Sequence, residues 1–111
     1  MISNTELFSS HTLHYTAQRA MDMVSRGDHD VPETCAAMVW RLHSLGKKNK
    51  MGNDEKLAHS LWQLAMQLYI HYNLPVMAFH LLLASRNFTA SPLLLRRISN
   101  DLDKIQSECT G

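Results

Sequence analysis

Histidines, cysteines and closely spaced carboxylates are the residues of this chain that could do chemistry. Of its 7 histidines, His11 and His14 have a spacing that can put two imidazoles on one helix face, which would begin a metal site. Zinc needs further ligands converging on the pair, and the nearest in sequence belong to Asp28-His29-Asp30, across a turn. No H-E-x-x-H and no paired-cysteine motif is present. Cys35 could serve as a nucleophile, but it opens the run Ala36-Ala37-Met38-Val39-Trp40 on an apolar helix face. Burial there raises the thiol pKa and makes it inert. Asp28/Asp30 and Asp101/Asp103 fall at helix ends or on exposed faces, where capping and solvation account for a carboxylate. The expectation is therefore no enzyme, no bound metal and no cofactor.

Charge points away from polyanions. Lys and Arg number 11 against 10 Asp and Glu, a net charge of +1, so no electrostatic drive toward nucleic acid or an anionic membrane arises. Lys47-Lys48-Asn49-Lys50 is a short basic cluster that a solvated loop explains. A DNA-recognition helix needs basic and amide side chains near its start. The helical pattern near 54–72 opens on Asn53-Asp54-Glu55, and the one near 92–107, with Arg96-Arg97, opens on three leucines. No basic stretch followed by an apolar run marks a signal peptide, and no apolar run approaches the ~18 residues of a membrane span. Cys35 and Cys109 make no disulfide framework, so reduced thiols and a cytoplasmic protein are expected.

The elements that would position these residues are all helical. With 111 residues, 4 Gly and 3 Pro, the chain reads as one domain, 1–111, with few long loops. Ser3-Asn4-Thr5-Glu6 fits a capping box. Leu13, Ala17, Ala20, Met21 and Val24 make one helical stripe, and Gly27 supplies a stop. Asp30-Val31-Pro32-Glu33 opens a second helix, with the stripe Cys35, Met38, Val39, Leu42 and Leu45 and a stop at Gly46. Asn53 or Asp54 caps a third, Pro75 starts a fourth, and Ser91-Pro92 starts a fifth. The pattern predicts an all-α fold with helices near 5–25, 32–45, 54–72, 75–86 and 92–107. Short connections make consecutive helices antiparallel neighbours.

Helix 3 carries two apolar faces, one of Leu57, Leu61, Leu64 and Leu68, the other of Trp62, Met66 and Tyr69. Such a helix is sandwiched between partners, and a bundle this small need supply only one of them. The expected partner-binding residues are Trp62, Met66, Tyr69, Phe79 and Leu82, lining a groove for an amphipathic helix of another protein. The 7 Met suit an adaptable groove as well as a plastic core.

Trp62, Tyr69 and Ala78 also sit where a tetratricopeptide-like helix pair places its aromatic and small residues. Together with Gly27-Asp28-His29 ahead of Trp40, Leu42 and Gly46, the chain resembles the small tetratricopeptide-like chaperones that hold the needle subunit of type III secretion systems. Ala65, Met66, Pro75 and Leu82 depart from the residues such a repeat places around its signature. The resemblance implies helix hairpins forming a concave apolar groove. It also implies a helical, polymer-forming partner, a second small co-chaperone, and a hetero-oligomer or homodimer in the cytoplasm. Two other readings fit the same residues. One is a small phage- or plasmid-encoded helical regulator or inhibitor acting on a protein or nucleic acid. The other is a plain helical structural subunit.

Overall fold

A computed structural model describes residues 10–48 and 54–110; within it, the side chains of 10–12, 43–48 and 110 are left aside. The described residues form five α-helices and no strand: α1 (Ser10–Ser25), α2 (Val31–Lys48), α3 (Glu55–His71), α4 (Pro75–Asn87) and α5 (Pro92–Thr110). The all-α expectation holds. The Ser3–Glu6 capping box, the side chain of His11, and Asn53 lie outside the described residues.

The expected punctuation appears at most boundaries. Gly27 has φ +66°, and Asp28 N–H reaches back to Met23 O at 3.0 Å, closing the end of α1. Nothing lies within 4 Å of where a Cβ would stand at Gly27, so backbone conformation and not space requires glycine there. Asn73 adopts φ 53° after α3, and Leu74 N–H bonds Leu68 O at 3.1 Å. Ser91 Oγ accepts from Leu94 N–H at 3.4 Å, ahead of Pro92 in the first turn of α5. Gly46 is the exception. The helix runs through it to Lys48; a single glycine costs a helix only about 1 kcal/mol and does not by itself end one.

α3 is the central element. Leu57, Ala58, Leu61, Leu64, Ala65 and Leu68 on it are completely buried. It packs on α1 and, most extensively, on α4; α1 also meets α2, α2 meets α4, and α4 meets α5. The other helices give Leu13, Ala17, Ala20, Cys35, Met38, Leu81, Leu82, Ile98 and Ile105 to the same core cluster.

The start of α3 is a polar junction. Asp54 caps it, with Oδ1 accepting from Leu57 N–H at 3.1 Å. Its other carboxylate oxygen lies 2.9 Å from His14 Nε2 on α1. Its backbone N–H donates to Phe88 O, beyond the end of α4, at 2.7 Å. One turn on, Ser85 Oγ donates to Ala58 O at 2.6 Å in the core. The beginning of α3 therefore lies beside the beginning of α1 and the end of α4.

Removing this junction should cost more than removing one cap. Asp54→Ala is expected to destabilise the protein by about 1–2 kcal/mol, and His14→Ala by less, since Asp54 keeps its cap. Leu64→Ala, which opens a cavity in the centre, should cost about 2–5 kcal/mol. Urea unfolding measures all three; an unchanged midpoint for Asp54→Ala would show that the junction holds nothing.

Candidate functional site

α3 turns Trp62, Met66 and Tyr69 toward one side, where α5 meets two of them through long side chains. Trp62 Nε1–H donates to Asp101 Oδ2 at 2.8 Å, and the Arg97 guanidinium carbon lies 5.7 Å from the centre of the indole. His59 approaches the indole too, ring centres 5.7 Å apart. Two turns along, the arrangement repeats. The Tyr69 hydroxyl donates to Glu108, and Lys104 Nζ stands 6.0 Å from the phenol ring. Each aromatic thus takes one cation near its ring and one carboxylate at its polar atom. Both rings remain half-exposed while packing against the core, and Met66 lies half-exposed between them in sequence.

The expected binding residues on α4 separate. Phe79 is half-buried against the core, its ring edge-on to His80. Leu82 is completely buried and presents no surface to a partner. The structure thus gathers Trp62, Met66 and Tyr69 on α3 and leaves Leu82 inside.

Sequence reasoning passed over a second apolar surface, between α2 and α4. Ala36 and Val39 face Pro75, Val76, Met77 and His80 across an open cleft of about 360 Å³. Val76 is 65% exposed, and Trp40, in the adjacent turn of α2, is 73% exposed. Two signals were available. Cys35, Met38 and Leu42 set the buried stripe of α2, and helical geometry puts Trp40 on the other side. α4 is apolar nearly all round, so any partial cover leaves apolar side chains outside.

The turn into α5 is fixed by Glu55. Its carboxylate accepts from Thr89 Oγ1 and, at 2.8 Å, from Ala90 N–H. Beside it lies a cleft of about 520 Å³ between the first turns of α3 and α5, lined by Lys56, His59, Leu93, Leu94 and Arg97 among others.

Among the described residues no three His, Cys, Asp or Glu side chains gather into a metal-binding group, and His14 is drawn to Asp54. Burial pushes the Cys35 thiol up to about 11, which leaves it protonated at neutral pH. No described helix is long and apolar enough to cross a membrane. No protein-family model, curated protein or solved structure matches the chain.

Two outcomes follow. The hydrogen bonds from Thr89 and Ala90 hold the Glu55 carboxyl below its ordinary value of 4.5. A lowered folded-state pKa gives stability that is present above the unfolded value and lost as pH falls through the folded one. The melting-temperature advantage of the native chain over Glu55→Gln should therefore shrink on acidification from about pH 6 to pH 3; a constant difference refutes the assignment. With an aromatic disulfide reagent at mildly alkaline pH, the exposed Cys109 should react rapidly and the buried Cys35 only after denaturation. Two equally fast thiols would contradict the packing of α2.

Proposed function

We infer that this chain is a protein-binding helix array, an interaction protein and not a catalyst, which holds an amphipathic helical segment of another protein in the cytoplasm. The observation that carries the reading is the open α2–α4 cleft, lined mainly by aliphatic side chains with Val76 largely exposed, together with the largely exposed Trp40 that follows Val39 on α2. Exposed aromatic and aliphatic side chains clustered in this way are characteristic of protein-docking surfaces. The half-exposed row Trp62, Met66, Tyr69 on α3 is a second contact area, with Phe79 on α4.

The packing order supports tetratricopeptide-like stacking of antiparallel hairpins. Alternate helices lie side by side, α1 with α3 and α2 with α4, as in tandem helix arrays, while α1 meets α2, α3 meets α4 and α4 meets α5. The outward side of α5, with Arg96, Ser99, Asn100, Asp103 and Gln106 exposed, suits a terminal element. The class of partner comes from the sequence resemblance: a helical, polymer-forming subunit like a type III secretion needle protein, kept dispersed until export, with a small co-chaperone.

Affinity capture from the native host, with mass spectrometry, should return a short helical polypeptide. Trp40→Ala should weaken its binding by about tenfold or more, as truncating an aromatic anchor does, measured on protein that a thermal melt shows to be folded. Trp62→Ala and Tyr69→Ala each remove a tie to α5 and should lower the melting temperature as well. A fully monomeric protein with no partner, or a complex indifferent to all three substitutions, overturns the reading.

A further inference from the structure

We propose that the cleft between the first turns of α3 and α5 recognises a carboxylate on an acidic, leucine-containing helical segment of the partner. The inference rests on the protein-binding reading and names the chemistry of the segment that is held.

Three cationic or ionisable nitrogen side chains, Lys56, His59 and Arg97, line this cleft. Its one lining carboxylate, Glu55, has both oxygens engaged, one by Thr89 and one by Ala90 N–H. The next carboxylate along α5, Asp101, gives Oδ2 to the indole of Trp62. The ion pairs among the described residues lie elsewhere, at His14–Asp54 and Arg26–Asp22, so no described carboxylate pairs with Lys56 or Arg97. The charge left to meet a ligand is positive.

Arg97 and His59 are also positioned. Both lie against the Trp62 ring, and the ring is oriented by its bond to Asp101. A guanidinium held over an aromatic face loses less freedom on meeting a carboxylate than a mobile one does. Beside these groups Leu93 is 65% exposed and Leu94 half-buried. A free inorganic anion has no use for that apolar floor. A polypeptide carrying Glu or Asp one turn from Leu fills both parts, with the charge setting specificity and association rate.

The test uses the full-length chain and two synthetic amphipathic helical peptides. One has Leu along one face and Glu flanking it; the other has Gln in place of Glu. Binding is followed at low salt by the NMR signal of the Trp62 indole N–H. The acidic peptide should bind about tenfold tighter or better than the Gln peptide. That advantage should fade as salt is raised, and it should vanish in the Lys56→Gln/Arg97→Gln double variant. Both substituted residues are exposed, so a matched circular dichroism melt verifies folding. Equal affinity for the two peptides defeats the charge recognition while leaving the protein-binding reading standing. Failure of the acidic peptide to bind also defeats it, and the reading is then judged on the native partner alone. Inorganic phosphate that displaces the acidic peptide at comparable concentration would make this a general anion site. Concentration-dependent shifts of the same signal without peptide would assign the cleft to a second copy of the chain. Either result overturns the proposal.

Discussion

Asp54 is the residue on which the arrangement depends. One carboxylate oxygen caps α3 and the other meets His14 on α1, while its backbone N–H holds Phe88 at the end of α4. A helix start leaves N–H groups without partners, and α3 is the most buried helix, where such groups are costly. A polar residue was required there. Because it bonds to two other segments as well, the cap also sets where α1 and the α4–α5 turn stand. Glu55 extends the junction to Thr89 and Ala90, and so to the origin of α5.

The relation between α3 and α5 differs in kind from the contact of α3 with α4. Leucines and alanines join α3 to α4, with Ser85 donating to Ala58 O between them. Across the α3–α5 seam, half-exposed aromatics instead meet charged side chains in pairs. Interactions of this kind gain specificity from geometry and are weakened by water and salt. The apolar residues of α5, Ile98, Leu102 and Ile105, are buried, so hydrophobic burial holds the helix while the charged side chains orient it.

Most of the fold was legible in the sequence because its signals are local. Leucine spacing marked the buried face of α3; Gly27, Asp54 and Ser91-Pro92 marked boundaries by conformations and caps that involve only neighbouring residues. The site was less legible because its partners are distant. Nothing near Trp62 announces that Asp101 will meet its indole, or that Glu108 will meet Tyr69; both follow from how α5 is laid down. Leu82 and Phe79 looked equivalent on a helix apolar nearly all round, since periodicity cannot choose a side when every side is apolar. Trp40 was legible in principle from the opposite stripe, yet a large aromatic invites a core assignment. Gly46 failed as a stop because one glycine is too small a penalty to end a helix by itself.

The pairs along α3 and α5 have one further consequence. Trp62 and Tyr69 are seven residues apart, as are Arg97 and Lys104, and Asp101 and Glu108. Two rungs of the same chemistry make a degenerate ruler. Sliding α5 by seven residues, about 10.5 Å at the helical rise, would set Lys104 and Glu108 on Trp62 with the same pattern of charge. Against such a slip the seam offers only the rung that Tyr69 would lose. The short connection between Asn87 and Pro92 adds to that constraint, with Phe88 O held by Asp54 N–H and Ala90 N–H by Glu55.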